Sequence, residues 1–419
     1  MPYSLPLPAF RAGGTYRFAG PRLGEVMAPD ANSFGVIRLA MALAVLVSHS
    51  YLFQTGTSRA EPLHGWTGHS LGEHAVQVFF ILSGILVAQS LDRSRDILDF
   101  AWGRFLRIFP GLVVCVLLTA FVLGPWLSTL APGTYLESRT LWLYLVKTLS
   151  LSTGSAPLPG LFETLPLAGL VNMSLWTLKF EVLCYAFLGL AGLAGLFSAR
   201  WRNRSTLLLA AVLCVIFVDQ PKAIETYSTA DNVRYFALFF GTGVLAYLLR
   251  DRIVINPFAL LPLAGVFALA LGTRFGELGT ALLLGYATLV VASLDLGPLR
   301  ALTNRYDLSY GVYIYAGPIQ QGVLWTNPGI DPVKLTLVSL LVVLPLALLS
   351  WMFVEHPALG LRRRKVTVDL QRGLTARATI PQPARSVALG RLGRMQAALH
   401  GSEPLPRREP RFGHRRRAR

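Results

Sequence analysis

Charged residues are scarce in this sequence. Only 15% of the 419 residues are Asp, Glu, Lys or Arg, whereas 53% are hydrophobic; a soluble domain has about 25% charged residues. Long apolar runs alternate with short basic connections. Apolar runs of about 18 residues or more predict membrane-spanning helices, because that length crosses the hydrocarbon core. Helices are expected there because the backbone must satisfy its own hydrogen bonds in lipid.

Cysteine is also rare. Cys115, Cys184 and Cys214 all lie in apolar runs, and no C-x-x-C spacing is present. The absence of such spacing argues against a cysteine-based metal site, and we expect the three cysteines to be packing residues. The first 33 residues lack the apolar core of a signal peptide, so we expect none.

The apolar pattern predicts an all-α, polytopic membrane helix bundle with about ten transmembrane helices. The predicted spans are residues 34–53, 75–91, 108–130, 174–197, 206–220, 233–249, 257–274, 277–294, 307–326 and 333–355. Residues 141–152 are too short to cross and are predicted to form an interfacial or re-entrant helix. We therefore expect three parts: an N-terminal segment (1–33), a transmembrane domain (34–355) and a basic, disordered tail (356–419).

The formal net charge of +17 resides in connections and in the tail. Nucleic-acid binding would require a basic patch on a folded domain, so we expect no nucleic-acid partner. With the N-terminus inside, alternate connections carry the arginine clusters, which predicts cytoplasmic termini. The clusters are 93–107, 200–204, 250–252 and 300–305.

Four ionisable residues lie within predicted spans, where charge is expensive and indicates function. They are Arg38, His49, Lys179 and Glu181. Arg38 and His49 are eleven residues apart, which places them on one helix face about 16 Å apart along the axis. Taken alone, Arg38 is as consistent with an interfacial anchor as with a functional role. A lone histidine such as His49 is better explained as a hydrogen-bonded core residue. Lys179 is expected to extend toward the membrane surface.

Glu181 is seven residues into its predicted span, at a depth of about 10 Å below the outer surface. His49 is predicted at a similar depth, so a His49–Glu181 pair is geometrically possible. The carboxylate would raise the basicity of the imidazole and fix its tautomer, which suits a general base. Thr177, Glu181 and Tyr185 have i, i+4, i+8 spacing and are expected to share one face.

Three histidines, His64, His69 and His74, lie in or beside the predicted connection 54–74, together with Glu73. Their i, i+5 spacing does not align them on one helix face, and no HExxH pattern occurs. We expect no metal site.

Several local sequences together resemble acyltransferase family 3, the integral membrane O-acyltransferases that modify surface polysaccharides and other glycans. The resemblance covers roughly residues 30 to 360. The segments that carry it, in order, are Phe34 to His49, Val76 to Gly84, Arg104 to Pro110, Trp176 to Tyr185, Ser309 to Pro318, and Trp351 to Pro357. Many members have a histidine two residues before the late proline, where this chain has Ala316. A role for that second histidine is therefore absent.

The resemblance implies a membrane O-acyltransferase, most simply an O-acetyltransferase, of the bacterial inner membrane. It implies acetyl-CoA or another acyl-CoA as donor and a polysaccharide or glycolipid as acceptor, with polysaccharide biosynthesis machinery as a possible partner. Its catalytic residues would be His49, Glu181 and Arg38. Arg104 and Arg107 would bind the donor phosphates, with membrane anchoring as the alternative. Trp176 and Tyr310 would contact the acceptor, with an interfacial aromatic belt as the alternative.

Two chemical routes remain open at this point. His49 could deprotonate the sugar hydroxyl for direct attack, or it could carry the acyl group covalently. Two other functions also use buried charges. One is a transporter or flippase that moves a glycan lipid or acyl group without chemistry of its own, and the other is a non-catalytic assembly protein.

Overall fold

The structure, a computed structural model, describes residues 20–28, 31–154, 156–198, 200–218 and 228–362. Within these ranges it is helical and has no β-strand, only an isolated bridge between Arg22 and Val254. The all-α prediction is confirmed. The α-helices are α1 (Leu23–Val26), α2 (Phe34–Thr55), α3 (His64–Thr67), α4 (Leu71–Arg93), α5 (Ile97–Leu118), α6 (Gly124–Leu127), α7 (Pro132–Glu137), α8 (Arg139–Leu149), α9 (Leu178–Leu193), α10 (Arg202–Val218), α11 (Thr229–Leu248), α12 (Leu260–Ala270), α13 (Gly276–Ser293), α14 (Gly297–Arg305), α15 (Ser309–Thr326) and α16 (Pro332–Ser350).

Helices occur at each of the ten predicted spans, as far as these are described, but the third span begins at Ile97, eleven residues before the predicted residue 108. Within the described ranges, six helical stretches are long and apolar enough to cross a membrane: Phe34–Thr55, Leu71–Arg93, Ile97–Leu127, Met173–Leu193, Gly276–Ser293 and Pro332–Arg362. The protein is therefore a multi-pass membrane protein. The number ten and the cytoplasmic termini remain predictions. The stretch 141–152, predicted to be too short to cross, overlaps α8, which begins two residues earlier and has 11 residues.

Side-chain caps fix where several helices begin. Ser70 and Glu73 form a reciprocal capping box at α4, and Ser228 and Asp231 do the same at α11. Asp96 accepts from the backbone at the start of α5, and Asp331 does so at α16. Each cap satisfies N–H groups that have no partner inside the helix.

Helices α4 and α11 approach each other closely at two glycines. A Cβ atom on Gly84 would lie 2.1 Å from the Phe240 carbonyl oxygen, and one on Gly243 would lie 2.0 Å from that of Ile81. Small residues allow such approach between membrane helices. Gly84 therefore serves packing, and α4 becomes a fixed wall of the bundle interior.

The connection before α9 folds into the bundle. Among residues 156–172, six hydrophobic side chains are buried: Ala156, Leu158, Leu161, Phe162, Leu165 and Val171. The Asn172 side chain donates to the Ile314 carbonyl of α15 at 2.8 Å. The 3-10 helix Met173–Thr177, which leads into α9, therefore starts inside the bundle.

The last span continues beyond the predicted residue 355. A π-helix (Trp351–Glu355) follows α16, and the helix continues to Arg362. The Arg362 guanidinium bonds the Asp99 carboxylate at 3.1 and 2.9 Å. The rest of the predicted tail, 363–419, lies outside the described residues, as do residues 1–19.

Candidate active site

The main cavity among the described residues has a volume of about 380 Å³. It lies between α2, α4, α5, α9 and α15, with Trp351 and Leu359 of the last span. Its polar lining residues are Arg38, Ser83, Arg104, Arg107, Thr177, Glu181, Tyr185, Asp307, Ser309, Tyr310 and Tyr313. We call the end of the bundle that contains Arg104 and Arg107 the arginine end. The opposite end, with residues 56–70, is called the loop end.

Asp307 joins two arginines from different helices at the arginine end. Its Oδ2 lies 3.1 Å from Arg38 Nη2 and 2.8 Å from Arg107 Nη2. Its other oxygen accepts from the Ser309 hydroxyl at 2.6 Å. The Asp307 side chain is only 12% exposed, so the low dielectric strengthens both ion pairs. One carboxylate thus holds two guanidinium groups at one wall of the cavity.

Arg104 completes a group of three arginines in the cavity. Its Nη2 donates to the Ser90 hydroxyl at 3.3 Å, and its guanidinium lies 5.8 Å from the Tyr185 ring centroid. The Nε atoms of Arg38 and Arg104 are buried without a hydrogen-bond partner. Buried donors left unpaired are costly, and an anionic ligand in the cavity would satisfy them.

Asp307 was not predicted from the sequence. It lies at the first position of the predicted span 307–326. Because an ionisable residue within a span indicates function, Asp307 could have been singled out as Arg38 was. Position in the sequence gave no indication that it pairs with Arg38, because 269 residues separate the two. The structure shows this pairing directly.

The predicted shared face of Thr177, Glu181 and Tyr185 is confirmed, because all three line the cavity. The Tyr185 hydroxyl donates to the Glu181 carboxylate, and the Ser83 hydroxyl donates to the same oxygen at 3.4 Å. Lys179 is off this face, with its Nζ 4.7 Å from the Phe180 ring centroid. Glu181 is therefore part of the cavity wall.

The structure does not bring His49 and Glu181 together. His49 is absent from the cavity lining, its Nδ1 is buried without a hydrogen-bond partner, and its ring lies 5.4 Å from that of Phe53. The recorded hydrogen bonds of Glu181 go to Ser83 and Tyr185. The predicted direct pair is therefore wrong.

The relative heights of the helices explain why. The Gly72 N–H of α4 donates to the Ser48 hydroxyl of α2 at 2.9 Å, so these residues lie at one height. Arg38 is ten residues from Ser48 toward the arginine end, and Ser83 is eleven residues from Gly72, about 15 and 16 Å. Since Glu181 bonds Ser83, it lies at the height of Arg38. His49 is about 16 Å further toward the loop end.

The depth of Glu181 was predicted from the assumption that its helix starts at the membrane surface. Because residues 156–172 fold inward and Asn172 bonds Ile314, α9 starts well below that surface. Glu181 therefore lies deeper than predicted, at the height of Arg38 rather than that of His49.

The two predicted acceptor residues differ in position. Tyr310 lines the cavity, donates from its hydroxyl to the Ile108 carbonyl at 2.7 Å, and has the Arg107 guanidinium 5.8 Å from its ring centroid. Trp176 is absent from the lining; its ring packs 5.8 Å from Phe180 and 5.5 Å from Phe236. The structure thus gives Trp176 a packing environment rather than a place in the cavity.

Two of the three histidines near the loop end, His69 and His74, form side-chain hydrogen bonds, whereas His64 Nδ1 is buried without a partner. His69 lies 2.8 Å from Glu277 of α13 and 3.4 Å from Glu73 of α4, and the His74 ring bonds Gln77 at 2.8 Å. Burial opposes a charge on His69, but the two carboxylates raise its pKa to about 10. Within the described ranges there is no group of three or more His, Cys, Asp or Glu that could hold a metal ion.

Comparison with known proteins gives concordant results. Residues 32–355 match the family model described as an acyltransferase domain. An "O-acetyl transferase" of Shigella phage Sf6 is 32% identical over 357 residues, covering 81% of this chain and 99% of that protein. "Nodulation protein 10" of Rhizobium leguminosarum bv. viciae is 27% identical over 364 residues, covering 79% and 94%. No solved structure matches significantly.

Proposed function

The chain belongs to the acyltransferase 3 family and is a membrane O-acyltransferase, and from that premise we propose that it moves an acetyl group from acetyl-CoA to a hydroxyl of a polysaccharide or glycolipid. The name of the phage relative supports acetyl as the acyl group. We place the protein in the bacterial inner membrane with the arginine end facing the cytoplasm, where acyl-CoA is made. Because the family consists of acyltransferases, we do not retain the alternatives of a transporter or a non-catalytic assembly protein.

The observation that carries this proposal is the convergence of Arg38, Arg104 and Arg107 on one cavity, with two buried Nε atoms unpaired. Coenzyme A carries phosphates, and guanidinium groups bind phosphate through paired, charge-assisted hydrogen bonds. Asp307 neutralises one positive charge and orients two of the three side chains. A net positive, pre-organised pocket remains for the donor phosphates.

We propose that the pantetheine arm extends from this pocket toward the loop end. Its thioester would then approach His49, about 16 Å above Arg38 along α2. His49 takes the proton of the acceptor hydroxyl, the oxygen attacks the thioester carbonyl, and the C–S bond breaks. The CoA thiolate leaves and receives the proton from the imidazolium. Isolation of an acetyl-His49 adduct would instead favour the covalent route.

Glu181 receives a different role in this proposal. It accepts from Tyr185, whose ring faces the Arg104 guanidinium, so it positions an aromatic surface beside the donor pocket. Tyr310 remains the proposed acceptor contact because it lines the cavity. We propose no acceptor role for Trp176. The protein would work beside polysaccharide biosynthesis machinery.

Kinetics with radiolabelled acetyl-CoA test the proposal. Membranes carrying Arg104→Ala or Arg107→Ala should transfer acetyl to glycan with a KM for acetyl-CoA raised about 10-fold or more, because each loses a charge-assisted hydrogen bond. Arg250→Ala is the control for Arg107→Ala. Arg250 is similarly exposed, at 21% against 20%, and also lies over a tyrosine ring, but it is outside this cavity. An unchanged KM in both cavity variants would refute donor binding there.

A further inference from the structure

Glu61, in the connection between α2 and α4, has a buried carboxyl group at the height of His49. Glu61 is only 7% exposed, and its Oε2 accepts a hydrogen bond from the Ser48 hydroxyl. Ser48 is fully buried and directly precedes His49 on α2. A buried acid thus holds the helix turn that carries the proposed base.

The Ser48 hydroxyl connects three segments at this point. It donates to Glu61 and accepts from the Gly72 N–H of α4 at 2.9 Å. A Cβ atom on Gly72 would lie 3.0 Å from both Cβ and Oγ of Ser48, so α4 approaches closely because residue 72 is glycine. We call Glu61, Ser48 and Gly72 the loop-end clamp. It fixes α2, α4 and the connection between them against one another.

We propose that Glu61 is a positioning residue for acyl transfer: acting through Ser48, it fixes the turn of α2 that holds His49. This inference rests on the proposed function, because it takes His49 as the base. Glu61 itself touches neither donor nor acceptor in this proposal. Small displacements of a catalytic group cost large factors in rate, so loss of the clamp should lower kcat and leave the KM for acetyl-CoA unchanged.

The surroundings of Glu61 make the clamp sensitive to pH. Burial raises its pKa to about 7, helped by the negative charge of Glu73 and opposed by hydrogen bonding of Ser48 and Ser70. A detached connection would return Glu61 to its ordinary value of 4.5. Between these values the clamped state binds more protons, so clamping weakens as pH rises from about 4.5 to about 7 and stays weaker above.

Two variants separate positioning from mere packing. Glu61→Gln keeps the shape and an acceptor oxygen but stays neutral, so its clamp should not depend on pH. The ratio of its kcat to that of the wild type should rise as pH increases from about 4.5 to about 7 and level off above, since titration of His49 affects both proteins and cancels. Ser48→Ala should lower kcat about tenfold or more, by the largest factor at low pH, where the wild-type clamp is strongest. Glu163→Gln, at an exposed position, is the control and should match the wild type.

Hydrogen exchange distinguishes failure of this inference from failure of the proposed function. Exchange of the α2 amides from Ser48 to Thr55 should accelerate in Ser48→Ala, whatever reaction the protein catalyses. A kcat ratio independent of pH, with unchanged exchange in Ser48→Ala, would overturn the clamp. If Ser48→Ala does not accumulate in membranes, the nearly isosteric Glu61→Gln decides through its pH profile alone. If hydrogen exchange accelerates in Ser48→Ala but the wild type does not transfer acetyl groups, the proposed function fails instead.

Discussion

The two ends of the bundle differ in how their buried polar and charged side chains are arranged. At the arginine end, Arg38, Arg107 and Asp307 form ion pairs around an open cavity and leave donor atoms unpaired. At the loop end, polar side chains bond one another outside that cavity: Ser48 bonds Glu61, and Gln320 of α15 bonds Ser50 at 2.6 Å. Two polar atoms there, His49 Nδ1 and Gln320 Oε1, are also buried without a partner. The first arrangement can receive an anionic ligand, and the second holds a helix in place.

This difference indicates a division of labour along α2. One face of the helix carries Arg38 into the cavity and His49 about 16 Å away at the loop end. Binding of the donor and activation of the acceptor hydroxyl would thus occur at different heights. A thioester bound at the arginine end must reach the loop end for transfer, and the helix that carries both residues sets the distance.

The largest expected effect comes from removing the proposed base. His49→Ala should lower acetyl transfer by about 10²- to 10⁴-fold, the range that general bases supply. Binding of acetyl-CoA, measured by equilibrium dialysis on detergent-solubilised protein, should not change, because the arginines are untouched. Transfer at the wild-type rate with normal protein levels would remove His49 from the mechanism.

Breaking the ion pairs at the arginine end should have the next largest effect. Asp307→Ala leaves Arg38 and Arg107 without their shared carboxylate, and removing one partner of a buried pair costs about 3–5 kcal/mol. We expect a lower thermal midpoint and a higher KM for acetyl-CoA. Asp295→Ala, which removes the 72% exposed partner of Arg300, is the control and should change neither. Equal effects of the two variants would show that Asp307 has no special role.

The sequence was sufficient for the helices and for faces within one helix. Long apolar runs predicted the spans, and the i, i+4, i+8 spacing placed Thr177, Glu181 and Tyr185 on one wall, as the structure shows. These features depend on contacts between residues close in sequence. Arg104 and Arg107 also line the cavity as their resemblance-based role requires.

The sequence was insufficient for heights and for distant pairs. Glu181 was placed too close to the surface because the prolines and glycines of residues 156–172 indicate a connection, and the sequence alone does not show that this connection packs inside the bundle. Asp307 and Glu61 were missed because their partners, Arg38 and Ser48, are brought to them by tertiary packing. Only the relative register of α2, α4 and α9 shows which polar residues share a layer.

A smaller effect is expected at the loop end, where His69 links α4 to α13. The carboxylates of Glu277 and Glu73 overcome the cost of burial and raise its pKa to about 10. The stability that this charge adds should be present in full below pH 6.5, the ordinary value, and be lost as pH rises through about 10. The thermal midpoint of the wild type should therefore fall more than that of His69→Gln between pH 8 and pH 10.5. Parallel curves for the two proteins would contradict this link.

The smallest effect concerns the boundary between the two ends. The Tyr313 hydroxyl shares a hydrogen bond of 2.6 Å with Thr177, and its ring meets the edge of Phe79 at 5.7 Å between centroids. All three residues line the cavity, and Thr177 and Tyr313 lie one turn beyond Glu181 and Tyr310 toward the loop end. This layer would separate a bound thioester from His49 until it opens.

Tyr313→Phe removes the hydrogen bond and keeps the ring, so opening of the layer should become easier by about 1 kcal/mol. We expect hydrolysis of acetyl-CoA without acceptor to rise by up to about fivefold, because water also gains access to the thioester near His49. Thr177→Val should reproduce the change, whereas Thr177→Ser keeps a hydroxyl and should behave as the wild type. If both Tyr313→Phe and Thr177→Val leave hydrolysis unchanged, the layer does not control access and the two ends communicate by another path.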